Sequence, residues 1–293
     1  MKRKRSAGGI LFDILNTLLM LIILVLVLYP FWYVITCSLS TPSQTTGSLL
    51  LWPKGFTLES FKTAFETEAV YSSLLISVAR SVLGSAGMLL VSGMAAYVLS
   101  KTHLIAGRFF RVFIIFTMYF NAGTIPIYLT YQTLGLTNTF WVYIIPMLVV
   151  PFNIVLMKNY MESIPPSMEE AVLIDGGNEL TAYFRVILPI CLPVNAAVIL
   201  FSALTHWNSL MDTQLYNSMS PHLYTIQYVL YNTVAAQMSQ TLEGARSAGS
   251  AALVNSQSLK MAFTVITIIP VMCVYPFLQK YFVSGIMIGS VKE

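Results

Sequence analysis

A chain of 293 residues that is 56% hydrophobic and 10% charged, with a mean hydropathy of +0.73, is not composed like a soluble domain, because soluble folds carry about a quarter of their residues as Asp, Glu, Lys or Arg. The net charge of +4 does not point to nucleic acid either, since the basic residues are spread along the chain in a membrane-sided pattern. What remains is an all-α polytopic membrane protein, in which each crossing needs about 20 largely apolar residues in a helix.

Six spans emerge in chain order, near Leu15–Cys37, Tyr71–Ser100, Phe109–Tyr131, Thr139–Met157, Ile187–Ser209 and Met261–Phe282. Met1–Arg5 (MKRKR) precedes the first. That run is long and no small-residue cleavage site follows it, so it reads as an uncleaved span. Between the spans lie a stretch at 38–70, a short loop at 132–138 and a long external loop at about 210–260. No second domain is visible, and the whole of 1–293 reads as one transmembrane domain. In the first stretch, Leu51-Trp52-Pro53 places an aromatic ring at interfacial depth, as Trp207 does later. Phe56–Phe65 (FTLESFKTAF) has the pattern of a short amphipathic helix. Cys37, Cys191 and Cys273 lie in or beside apolar runs at no metal-ligand spacing and read as small hydrophobes.

Charge sets the expected sidedness. With the N-terminus inside, the inner segments hold Lys2, Arg3, Lys4, Arg5, Lys101, Arg108, Arg111, Lys158, Arg185, Lys280 and Lys292. The outer ones hold Lys54, Lys62, Arg246 and Lys260, and Arg80 falls within a span. This positive-inside bias puts both termini, and the connection between spans four and five, in the cytoplasm.

That connection is unusual for so apolar a chain. EEAVLIDGGNELTAYFRVILP (169–189) carries Glu169, Glu170, Asp175 and Glu179. Pro165-Pro166 is expected to stop the incoming helix, Ser167 and Glu170 form a capping-box pattern, and Met168–Asp175 reads as a short helix. Gly176 stands where a helix ends in the left-handed conformation, Asn178–Val186 reads as a second helix, and Leu188-Pro189 joins it to the fifth span. A two-turn helix is not stable alone in water. It packs either on its own membrane domain or on a separate protein, and its acidity favours a basic protein groove over anionic lipid.

Glu170-Ala171-Val172, three residues, Gly176, nine residues, Val186, one residue and Leu188-Pro189 resembles the EAA loop of binding-protein-dependent ABC importer permeases, E-A-A-x3-G-x9-I-x-L-P. Val172 and Val186 depart from it as mild apolar changes. Ala95-Ala96-Tyr97 with Leu99-Ser100-Lys101, Gly123-Thr124-Ile125-Pro126, Leu134–Thr139 and the tail Gly285–Lys292 are similar to the maltose-type carbohydrate subgroup. Trp207-Asn208 and the 38–62 loop resemble its branch for oligosaccharides and complex polysaccharides, alginate-importer permeases included.

The resemblance implies the type I ABC importer permease fold, with six transmembrane helices and a cytoplasmic coupling hairpin at about 158–189. It implies a second permease, two copies of a cytoplasmic ABC ATPase, an external solute-binding protein and a carbohydrate substrate, with no nucleic acid. The chain has no G-x-x-x-x-G-K-[ST] phosphate loop, so it cannot hold ATP that way, and the resemblance implies a permease subunit that is not an enzyme, with ATP and Mg on the partner ATPase. Carried over, Glu169, Glu170, Ala171, Val172, Asp175, Gly176, Leu188 and Pro189 form the coupling element. By the same resemblance the tail 285–293 reaches into the ATPase dimer, the 210–260 loop faces the binding protein, and its 237–250 part probes that protein's sugar site and helps eject the ligand.

Polar and aromatic groups inside spans are candidates for a substrate path: Tyr119, Asn121, Tyr128, Asn153, Asn195, His206, Trp207 and Asn208. Interhelical hydrogen bonding is the other use of such residues. Arg80, about ten residues inside its span, either snorkels outward or steers an anionic sugar such as a uronate. An ion-coupled secondary transporter is the main rival, but such carriers keep ionisable groups near mid-membrane, where these spans have few.

Overall fold

A computed structural model describes residues 7–41, 45, 50–66, 68–244, 257–274 and 276. The described residues are helical, apart from turns and one antiparallel bridge between Ser40 and Phe56. In chain order the helices are α1 (Ala7–Ser38), α2 (Glu59–Glu66), α3 (Glu68–Ser100), α4 (Gly107–Tyr119), α5 (Thr124–Thr133), α6 (Pro151–Met161), α7 (Ser167–Ile174), α8 (Glu179–Ala182), α9 (Leu188–Ile190), α10 (Leu192–Asn208), α11 (Met211–Tyr216) and α12 (Ile226–Gly244). A last helix, α13 (Gln257–Val274), follows. Short 3-10 turns at Phe140–Tyr143, Ile145–Met147 and Pro221–Leu223 connect them.

Three stretches, Leu11–Ser38, Ala69–Ser100 and Gln257–Val274, are each long and apolar enough to cross a bilayer. The other three expected spans are not continuous helices. They are pairs bent by 115° (α4 with α5), 43° (140–147 with α6) and 83° (179–190 with α10), giving six crossings if each pair counts as one. Each bend has a local cause. After α4 the chain becomes extended at Phe120, and Gly123 adopts φ +88, which costs glycine little. The Asn121 side-chain oxygen Oδ1 accepts the Gly123 N–H at 2.8 Å. Val150 precedes Pro151 and is extended, as the proline ring requires. At Cys191 the ladder is interrupted by Pro189 and Pro193, which have no N–H to give; Asn195 Nδ2 donates to the Leu188 carbonyl there at 3.0 Å.

The described residues divide into two compact units, one within 1–67 and 230–268 and the other within 68–229 and 269–293. In the first, α1 exposes apolar side chains from Leu11 to Leu28, a surface suited to lipid. Trp32 Nε1 donates to the Leu51 carbonyl at 2.8 Å, and Trp32 meets Trp52 edge to face. The amphipathic segment is helical over Glu59–Glu66, burying Ser60 and Ala64. Gln257 Nε2 donates to the Tyr33 hydroxyl at 3.3 Å.

In the second unit α3 packs along α10 and α6. Met88, Ala96, Tyr97, Ile154, Met157, Tyr183, Ile187 and Val198 build the core. Lipid tails are as apolar as leucine, so helices in a bilayer are held by close approach and by polar bonds. The packed face of α3 is accordingly small and polar: Ser73, Ser77, Ser81, Gly84, Ser85, Ser92 and Ala96 are buried. Ser92 Oγ donates to the Leu148 carbonyl at 2.7 Å and accepts the Val150 N–H at 3.2 Å, tying α3 to the break before Pro151.

At Gly84 a Cβ would collide with the His206 ring. Gly84→Val is expected to cost about 1–3 kcal/mol, the usual penalty for overpacking a close-packed site. A second change, His206→Ala, should restore most of it. Thermal unfolding of the purified protein in detergent reads both.

The expected 210–260 loop is folded where it is described. The Tyr143 hydroxyl donates to the Leu223 carbonyl at 2.8 Å and bonds Thr213 at 3.0 Å. Asn217 Nδ2 donates to the Thr139 carbonyl, and Ser220 bonds Asn138. Ser77 Oγ accepts the N–H of Ile226 at the start of α12. The tail 285–293, part of 237–250 and the last span beyond residue 276 lie outside the described residues.

Candidate coupling site and substrate path

The hairpin begins differently from the capping-box expectation. α6 ends at Met161, four residues before Pro165, and Pro166 takes the N-cap position of α7 in place of Ser167. Pro166 is already helical, and its carbonyl accepts the N–H groups of Glu169 and Glu170 at 3.0 Å each. Prolines at a helix start give up donors that would have no partner there. Ser167 therefore sits inside the first turn and does not cap.

α7 ends with Asp175 as its C-cap. Gly176 follows at φ +83, its N–H donating to Leu173, while the Gly177 N–H donates to Val172. This pair of bonds satisfies carbonyls a helix end would otherwise leave open. α8 is capped by Asn178, whose side-chain oxygen accepts the Thr181 N–H at 2.8 Å.

The second arm is not one α-helix over 178–186. α8 covers four residues and passes into a π-turn, Tyr183–Ile187. Pro189 cannot offer the next ladder N–H, and the Leu188 N–H donates five residues back to Tyr183. π-turns of this kind are rare and cluster at functional sites.

The two adjacent glutamates of α7 face different ways. The Glu169 carboxylate accepts hydrogen bonds from the Tyr97 hydroxyl and the Lys101 ammonium, with which it forms an ion pair. Lys101 Nζ also lies 4.0 Å from the Tyr97 ring centroid. Burial lowers the Lys101 pKa from its ordinary value, and the Glu179 carboxylate pulls the other way. Glu170, Ala171, Asp175 and Gly176 are exposed, Val172 and Leu188 are half-buried, and Pro189 is exposed. Beside Glu170, Met168 and Leu173 are exposed, and Ile174 is 85% exposed.

The substrate-path candidates do not form one cluster. Tyr119 is 84% exposed, and Asn121 lies at the 115° bend. Tyr128 stacks on Tyr216 at 6.0 Å. Asn195 is engaged at the Cys191 corner, Trp207 is buried, and the exposed Asn208 accepts from Gln227 at 3.4 Å. Asn153 and His206 do come together. With Ser202, Thr205, Phe152 and Phe201 they line a cavity of about 230 Å³. Phe201, Thr205 and Asn208 also line an open groove along α10.

Arg80 does not snorkel. It is 0% exposed, ion-paired with Asp212, and its guanidinium carbon lies 4.4 Å from the Tyr143 ring centroid. The Ser209 hydroxyl donates to the other Asp212 oxygen. A charge withdrawn from water this far needs such a partner. Sequence reasoning assigned no role to Asp212 or Tyr143, and took Lys101 only as an inner basic residue and as part of Leu99-Ser100-Lys101. For Lys101 a signal was present, since Gly93, Tyr97 and Lys101 recur every four residues through the end of α3.

Residues 88–288 match the protein family described as binding-protein-dependent transport system inner membrane component. The chain is 37% identical over 284 residues to the polygalacturonan/rhamnogalacturonan transport system permease protein YtcP of Bacillus subtilis (strain 168), a match covering 96% of this chain and 98% of that protein. It is 34% identical over 292 residues to Protein LplC of the same organism, covering 98% and 97%. Among solved structures it is similar to a chain of a bacterial ABC transporter involved in the import of the acidic polysaccharide alginate. The TM-score is 0.84 with 30% identity, over 96% of this chain and 100% of that one. The ion-coupled reading finds no support in these relatives. With the helical order described above, these matches identify the type I importer permease fold, and the chain belongs to the family of binding-protein-dependent inner membrane components as the permease subunit of an ABC importer.

Proposed function

We propose that this subunit passes an oligosaccharide or polysaccharide of acidic character from an external solute-binding protein into the cytoplasm, driven by ATP hydrolysis on a separate ATPase. Acidity is the feature shared by the substrates in the names of two relatives, polygalacturonan and alginate. The subunit pairs with a second permease and sits on two copies of the ATPase, with both termini and the hairpin on the cytoplasmic side.

The observation that carries this reading is the division of labour between the two glutamates. Glu169 is spent on the chain's own Lys101 and Tyr97. Glu170, Asp175 and the apolar tip at Met168, Leu173 and Ile174 point outward. An acidic rim around exposed apolar side chains fits a basic-rimmed protein cleft. Glycine at 176 and alanine at 171 let that cleft come close. ATPase closure then drags the hairpin, and the attached helices α6 and α10 rock with it. Sugar passes along the α10 face at Phe201, Thr205 and Asn208 and the cavity bearing Asn153 and His206. Tyr119, Tyr128, Asn121 and Trp207 belong to the wider lining. Arg80, already neutralised by Asp212, contributes no free charge to it.

Ile174→Asp tests the docking. The variant should insert normally and pair with the second permease, yet release the ATPase during co-purification. Retention of the ATPase at wild-type stoichiometry with normal uptake would reject the reading.

A further inference from the structure

We propose that α3 is a second lever of the coupling hairpin, gripped along a track formed by Gly93, Tyr97 and Lys101. This rests on the reading that the hairpin receives motion from the ATPase. The three positions are spaced i, i+4, i+8 and span about 12 Å at 1.5 Å per residue, with Gly93 and Tyr97 in the last turns of α3 and Lys101 directly after its end.

Both arms of the hairpin hold that track. From the first arm, Glu169 binds the Tyr97 hydroxyl and the Lys101 ammonium. From the second, the ring of Tyr183 lies 5.1 Å from that of Tyr97. Its hydroxyl enters the space beside Gly93, where a Cβ would lie 2.5 Å from the oxygen. Tyr97 and Tyr183 are buried, and the ion pair is largely withdrawn from solvent.

The arrangement matters because of connectivity. The hairpin is joined through the chain to α6 on one side and to α9 and α10 on the other. α3 is joined to the hairpin only through the intervening α4, α5 and α6, so its direct coupling to hairpin motion is through non-covalent contacts. A buried charged pair and a ring seated in a glycine notch resist sliding better than apolar packing does, because each has one good geometry.

α3 also carries the displacement onward. From Lys101 to Arg80 is 101 − 80 = 21 residues, or roughly 30 Å of helix, close to the thickness of a bilayer core. At that far end Arg80 holds Asp212 at the start of α11. Lys101 and Tyr97 are thus positioning residues: they place α3 so that a pull at the hairpin arrives at Asp212.

The test uses the complete transporter in proteoliposomes, with both permeases, the ATPase and the loaded binding protein, and polygalacturonan-derived oligosaccharide as the probe. Uptake per ATP hydrolysed is measured for K101E, E169K and the charge swap K101E/E169K. Each single variant should lose about tenfold in that ratio while the ATPase stays bound, an effect in the range of directly coupled neighbours. The swap should recover most of it. Unchanged ratios in the singles, or a swap as poor as the singles, overturn the proposal.

Should a single variant fail to assemble, Y97F, which deletes one hydroxyl and keeps the ring, decides by the same ratio: a fall supports the track and no change rejects it. Ile174→Asp, run alongside, separates the two readings. ATPase release there with intact ratios in the Lys101 and Glu169 variants rejects the track alone, whereas ATPase retention rejects the docking on which the track rests.

Discussion

Asp212→Ala is expected to lower stability by about 3–5 kcal/mol, the range for stripping one partner from a buried ion pair. The cost is dominated by what is left behind. Arg80 is 0% exposed, and its Nε and Nη1 already have no hydrogen-bond partner among the described atoms. Without Asp212 a full charge would face Tyr143 alone. Arg80→Met should be milder, because Asp212 keeps 18% side-chain exposure and can turn toward water. The double variant Arg80→Met/Asp212→Leu should recover most of the loss, as apolar replacements of buried pairs do. Thermal unfolding midpoints of the purified protein check the order: Asp212→Ala lowest, Arg80→Met between, the double variant nearest wild type. Equal midpoints for the two singles would contradict it.

Glu170→Lys and Gly176→Val are expected to abolish coupled uptake while leaving membrane insertion intact. Glu170 lies in the first turn of α7 and is exposed, so a lysine there opposes both the helix dipole and a basic cleft. Gly176 sits at φ +83, where a β-branched residue is strained by about 1–3 kcal/mol, and its remedy is to unwind the end of α7. If either behaves as a binding hot spot, uptake falls by roughly 30-fold or more. ATP hydrolysis should lose its stimulation by loaded binding protein. Reconstituted vesicles give both numbers, and normal stimulated hydrolysis with normal uptake would contradict the expectation.

Much of this architecture is legible in the primary structure, for reasons that differ between elements. Composition reports the solvent a chain lives in, so the membrane class follows from the charge deficit alone. The hairpin is readable because Glu170, Ala171, Gly176, Leu188 and Pro189 keep the spacing of the family's loop, and Gly176 meets a local geometric demand as well, at φ +83. Direction is another matter. Hydropathy registers that 109–131 is apolar but not that it turns at Gly123, and the cap expected from Ser167 was pre-empted by Pro166, which is already helical. The ion pairs were least accessible. Arg80 and Asp212 stand 132 residues apart and Lys101 and Glu169 stand 68 apart, so their pairing is a property of the packed helices and of no local window.

The corner between α4 and α5 has a consequence for what surrounds it. α4 has 13 residues, about 20 Å of rise, which falls short of a hydrocarbon layer of about 30 Å. With α4 entering from the bilayer surface, the non-helical peptide units at 120–123 are expected at a depth where oil offers no hydrogen bonds and lipid cannot be their neighbour. Water or another polypeptide must touch the chain there, so this kink marks the side of the subunit that is turned away from the fatty acyl phase.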